Sequence, residues 1–101
     1  MTLRNPETCF ATQTVTAKIE NTVYQNLTSK PILIVVTVSC NLNGYSRAYT
    51  DSAVNPTTLV AETTNGNAVA FRATMTFVVT PGNYYKVLDN AASITKWVEY
   101  G

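Results

Sequence analysis

The 101-residue chain contains no histidine. That absence removes imidazole as general base, proton relay and metal ligand, so Ser-His-Asp and Cys-His nucleophile activation are excluded. Two cysteines without histidine cannot complete a four-ligand structural zinc site. Charge is scarce as well. Seven basic and six acidic residues make up 13% of the chain and leave a net charge of +1, whereas about 25% charged residues is usual for a globular domain. The basic residues form no run, so nucleic-acid binding by counterion release has no footprint. No apolar run approaches the ~20 residues of a membrane-spanning helix. The longest, Ile32 to Val36, has the length of a strand. The opening segment MTLRNPETCF has no apolar stretch followed by a small-residue cleavage site, so no secretory signal is expected.

What the chain does have is β-forming residues. It carries 17 Thr, 10 Asn and 12 Val against 4 Ile, and 46% of its residues are hydrophobic. Branching at Cβ and flat aromatic rings suit a pleated surface, so strands are favoured over long helices. The hydrophobic fraction is too high and the net charge too low for disorder. At this length one domain is expected.

The periodicity agrees. Val15, Ala17 and Ile19 alternate with Thr14, Thr16, Lys18 and Glu20, predicting a half-buried strand over 14–20, with a weaker one over 22–26. Residues 32–40 form the strongest strand, with Ile32, Ile34, Val36, Val38 and Cys40 on one face and Leu33 and Val35 on the other. Asn43-Gly44 is a strong short hairpin signal, and a return strand is expected over 45–50. Further strands are expected over 58–63, 69–79, 84–88 and 94–100, with turns at Thr64 to Asn67, at Thr80 to Asn83 and at Asp89 to Ser93. Seven or eight strands with turns every 8 to 12 residues predict an all-β fold, an antiparallel, jelly-roll-like β-sandwich over 14–101. Residues 1–13, broken by Asn5-Pro6, read as an N-terminal arm or linker. Cys9 and Cys40 are able to pair, but Cys40 is in phase with its strand's apolar face and reads as a buried free thiol.

The last strand is the anomaly. Ile94, Lys96, Val98 and Tyr100 share one face and Thr95, Trp97 and Glu99 the other, so neither face is uniformly apolar. Either a bulge shifts the phase or one face meets another subunit. On the second reading Leu33, Val35, Trp97, Val98 and Tyr100 are the interface residues. Subunit contacts would cover apolar surface that a chain of this size, burying roughly 60–65% of its unfolded surface, leaves exposed, and would also cover sheet edges.

Two readings also apply to Tyr45, Arg47 and Tyr49, which fall on one face. They project outward as a contact surface, or the tyrosines pack inward while Arg47 reaches back to water. Tyr and Arg are enriched in interfaces. Asn43 and Asn65, in the two Asn-Gly turns, are the other receptor-contact candidates. The six carboxylates (Glu7, Glu20, Asp51, Glu62, Asp89 and Glu99) are scattered and suggest no glycosidase pair. No catalytic residue, metal site or cofactor is expected. The sequon Asn26-Leu27-Thr28 reads as turn chemistry.

Four stretches, in order, resemble a known family. They are Asn21-Thr-Val-Tyr24, Thr28-Ser-Lys-Pro-Ile32, Thr76-Phe-Val-Val-Thr-Pro-Gly-Asn-Tyr-Tyr-Lys-Val87 and Ile94-Thr-Lys-Trp-Val-Glu99. Their order and spacing are similar to those of the small C-terminal β domain of phage tail fibres and virion adhesin tip proteins, over residues 21–100. Ser29 stands where that family has glycine, Thr80 is inserted before the proline, and residues 41–67 match no part of the pattern. The resemblance implies a non-enzymatic homotrimer, made in the host cytoplasm and carried on the virion. Its partners would be other virion proteins and a bacterial surface polysaccharide or outer-membrane protein. A trimerisation cap or capsid decoration protein without receptor contact is the alternative.

Overall fold

The computed structural model describes residues 10–66 and 69–101. Among them, six strands form one antiparallel sheet: β1 (Gln13–Thr16), β2 (Tyr24–Gln25), β3 (Ile32–Asp51), β4 (Leu59–Thr64), β5 (Phe71–Val79) and β6 (Tyr84–Tyr100). There is no helix among these residues, and so none long and apolar enough to cross a membrane. Most of the expected arm, and Cys9 with it, lies outside the described residues. Cys40 is a free, fully buried thiol.

Two long strands organise the sheet. β3, with 20 residues, pairs along its length with the 17 residues of β6. The other edge of β3 is shared: β5 pairs with Ile32 to Cys40, and β4 with Tyr45 to Tyr49. The outer edge of β6 takes β2 at Tyr84 and Tyr85 and β1 at Trp97 to Tyr100. Thr12 and Gly101 extend the last pairing with two backbone hydrogen bonds of 3.0 and 2.9 Å.

The sheet is creased in the middle. Cys40 pairs with Ala92 and Tyr45 with Asn90, so four residues of β3 oppose Ala91 alone. Asn43 (φ 62°) and Ala91 (φ 51°) take left-handed backbone there, which bends the strands and sharpens their twist. Tyr85 and Trp97 reveal the fold-over. Twelve residues of straight strand would separate them by ~40 Å, yet their ring centroids are 6.3 Å apart. One leaf, containing Ile32–Cys40, β5 and the end of β6, therefore lies face to face with the other, containing Tyr45–Asp51, β4 and the start of β6. Both leaves supply a single core: Ile34, Val36, Val38, Met75, Phe77 and Trp97 from the first, and Ala48, Tyr85 and Val87 from the second.

This layout differs from the sequence expectation in strand count and connectivity. The described residues form six strands in one folded-over sheet, in place of seven or eight separated by turns. Asn41 to Gly44 is not a hairpin turn, because β3 continues through it beside β6. The Asn-Gly step reports a need for left-handed backbone and close approach, which a bulge shares with a hairpin. Asp89 to Ser93 is likewise continuous strand. The anomaly in β6 has its cause in a second register shift: Thr37 pairs with Lys96 but Val38 with Ile94, leaving Thr95 extra. Ile94 thereby joins the inner face with Trp97 and Glu99.

Buried polar side chains fasten the loops. The Asn26 amide donates to the carbonyls of Lys30 (2.9 Å) and Val79 (3.0 Å), while its oxygen accepts from the Thr28 backbone N–H and hydroxyl. The sequon nitrogen is thus occupied by the fold. At the crease, Ser46 donates to one oxygen of Asp89, whose second oxygen is buried with no hydrogen-bond partner among the described residues. Burial, and secondarily the charge of Glu20, raises the Asp89 carboxyl above its ordinary value, against the opposing effect of the Ser46 hydrogen bond. A carboxyl whose folded value is raised favours the native state in acid, and that contribution is lost as pH climbs through the folded value. Asp89→Asn is therefore expected to raise the thermal midpoint at neutral pH, with the gain shrinking to nothing in acid, where the wild-type carboxyl is itself neutral. Melting curves across the acid-to-neutral range check this; a gain that is independent of pH would contradict it.

Candidate recognition surface

The second leaf exposes an ordered polar and aromatic face. Gly44, Ser46, Ala48 and Thr50 point inward and are buried, so Tyr45, Arg47 and Tyr49 point outward by strand alternation. The inward alternative for the two tyrosines does not hold. Cross-strand pairing places Asn90, Leu88 and Lys86 beside them on β6, and Thr64, Glu62 and Leu59 beside them on β4.

Each tyrosine carries a cation. The Arg47 guanidinium carbon lies 4.0 Å from the Tyr45 ring centroid, and the Lys86 ammonium 5.5 Å from that of Tyr49. Arg47 is also held by Glu62 through its Nε, and Lys86 donates to the Asn55 side-chain oxygen at 2.8 Å. The Glu62 hydrogen bond is the main reason the Arg47 guanidinium is held even more firmly in its charged form. Asn90 donates to the Tyr45 hydroxyl at 3.4 Å. These contacts fix side chains that would otherwise be mobile, which lowers the entropy lost when a partner docks.

The two asparagine candidates separate. Asn43 is exposed at the crease. Asn65 is only 2% exposed, and its amide donates to the carbonyls of Cys40 (3.0 Å) and Val69 (2.9 Å), tying the β4–β5 connection to β3. Asn65 is a structural clip and offers no receptor contact.

The first leaf has a different outer face. Its register builds two adjacent rows, Gln13–Tyr100–Leu33–Val78 and Val15–Val98–Val35–Thr76. Leu33, Val35 and Tyr100, each half-buried, are thus neighbours on one apolar face around Val98, which is itself only 7% exposed, with Val15 62% and Val78 45% exposed at its margins. Trp97 leaves the set. It stands on the opposite face, paired with the inward Val36 and 1% exposed in the core.

The sequence reading missed one cluster. Glu99 accepts hydrogen bonds from the Trp97 indole and the Tyr85 hydroxyl, both at 2.9 Å, and pairs with Lys18 at 3.1 Å. Tyr24 packs against both rings at 5.9 Å and lies under Lys18. Burial first, then the charge of Glu99, pushes the Tyr85 hydroxyl far above the usual phenol range, so it remains a donor. The Trp97-Val98-Glu99 spacing was the visible signal; the partner Tyr85 came within reach only through the crease.

Glu62 pairs with Arg47 and Glu99 with its three donors, and Asp51 caps the 53–58 loop by accepting from the backbone N–H groups of Ala53, Thr57 and Thr58. No group of three acidic or cysteine side chains able to hold a metal occurs among the described residues. Comparison with protein-family models, with curated proteins and with solved structures finds no match for the chain.

Proposed function

We propose that the chain is a non-enzymatic adhesin domain of a phage virion, a homotrimer at a tail-fibre tip that grips a bacterial surface polysaccharide or outer-membrane protein. The observation that carries the reading is the outward Tyr45–Arg47–Tyr49 face, ordered before any partner arrives. Support also comes from the four family-like stretches and from the apolar rows around Leu33, Val35, Val98 and Tyr100, which suit contact between copies. Folding one sheet into two leaves gives this chain the two outer faces that a jelly-roll-like sandwich would supply. Individually weak contacts, repeated by three subunits, would gain strength through effective concentration.

The test has two parts. Light scattering on the purified protein is expected to give a trimer, and Val35→Asp, which places charge in the apolar rows, is expected to give a folded monomer. Tyr49→Ala is expected to leave the trimer intact and to weaken binding to host cells roughly tenfold per site. The structural-cap reading is favoured by one observation, that the Arg47 charge is already taken by Glu62. Its signature is an intact trimer that binds neither cells nor their purified surface components. A monomeric wild-type protein would defeat both readings.

A further inference from the structure

The two Asn-Gly steps of the chain, Asn43-Gly44 and Asn65-Gly66, stand in opposite environments. Glycine has no Cβ, so its amide nitrogen meets the least hindrance in approaching the preceding asparagine side chain. Asn43 is exposed, and its carboxamide makes no hydrogen bond among the described residues, while its backbone N–H donates to Asn65 O at 2.7 Å. The Asn65 carboxamide is buried, with both amide hydrogens directed at backbone carbonyls.

We propose that Asn43 is a site of spontaneous deamidation in the native protein, and that the fold shields the second Asn-Gly step from the same reaction. In the reaction the Gly44 backbone nitrogen attacks the Asn43 side-chain carbon and gives up its proton to solvent. A C–N bond forms, the bond from that carbon to Nδ2 breaks, and ammonia leaves. Water then opens the cyclic imide at either carbonyl, giving aspartate or isoaspartate. The net change is asparagine plus water to an acid plus ammonia, with no oxidant or reductant. Asn65 must first break two buried hydrogen bonds and open the β4–β5 connection before its carbon is accessible.

The position gives the reaction a consequence. Asn43 donates to Asn65 O, and Gly44 O accepts from Asn65 N–H at 2.9 Å, so these bonds span the crease. Isoaspartate lengthens the main chain by a methylene between them. Either product lowers the net charge by one unit from +1. The crease carries its own ageing mark.

The test is to age the folded protein at mildly alkaline pH and map the conversion by peptide mass spectrometry. Conversion at Asn43 is expected to run roughly a hundredfold faster than at Asn65, and the two rates are expected to converge in urea. The unfolding midpoint of the aged wild type should drift downward while that of Asn43→Gln stays fixed. Similar rates at both sites in the folded protein, or conversion at Asn43 only after unfolding, would overturn the proposal.

Discussion

Gly44→Ala is expected to destroy the crease. A Cβ at this position would lie 2.3 Å from the Ala91 carbonyl oxygen and 2.8 Å from that of Asn41. Both obstacles are backbone, so no rotamer change relieves them. Relief requires β3 and β6 to part where four residues already oppose one, and the Ser46–Asp89 contact and the Asn65 clip lie within a few residues of the break. The cost is expected to reach ~3 kcal/mol or more, at the upper end of overpacking, equivalent to a fall of roughly 15 °C in the melting midpoint of a chain this size. Circular dichroism melts measure it. Gly82→Ala supplies the contrast. Gly82 also has a positive φ (82°), but open space surrounds its absent Cβ, so only local backbone strain of ~1 kcal/mol is expected. Equal losses for the two variants would show that the close approach to Ala91 contributes nothing.

Glu99→Ala is the second large expected loss. It removes the only acceptor among the described residues for the Trp97 indole and the Tyr85 hydroxyl, both buried, and takes away the carboxylate paired with the Lys18 ammonium. A buried donor left without a partner costs about 1–3 kcal/mol, so two predict roughly 2–6 kcal/mol in chemical denaturation. Glu99→Gln keeps an accepting oxygen while surrendering the charge, and should lose distinctly less. The indole fluorescence of Trp97, the one tryptophan of the chain, reports the same site directly. It is expected to shift to the red in the alanine variant as the ring loses its shielding. An unshifted emission with unchanged stability would mean that these hydrogen bonds add nothing beyond packing.

Much of this architecture was legible in the sequence because alternation is a local signal. The inward set from Ile32 to Cys40 and the partner set Ala73, Met75, Phe77 and Val79 follow from period-two patterning; the same patterning puts Tyr45, Arg47 and Tyr49 on one face but did not decide that the face points outward. Long-range geometry was not legible. Asn43-Gly44 looks the same whether a chain reverses or merely kinks, and only the continuous β6 ladder on the far side distinguishes the two. Trp97 and Glu99 share a face in the structure as they do by alternation, and it is Ile94 that the extra residue at Thr95 moves across to join them. Asn65 looked like a turn residue at the surface; its burial depends on carbonyls at Cys40 and Val69 that local sequence does not place. The Glu99 cluster joins residues fourteen positions apart on one strand, a contact that no straight-strand reading anticipates.

The shared ladder between β3 and β6 also sets the order of folding. During synthesis β3 emerges first, and half of its hydrogen-bonding capacity must wait for residues from Tyr84 onward. β5 and β4 can dress one side of it early, but neither leaf closes until the final strand arrives. Contacts of such high sequence separation slow folding, and the waiting edge is open to pairing with neighbouring nascent chains. Many copies made at once would face a race between completion and misassembly, won by whichever chains finish β6 soonest.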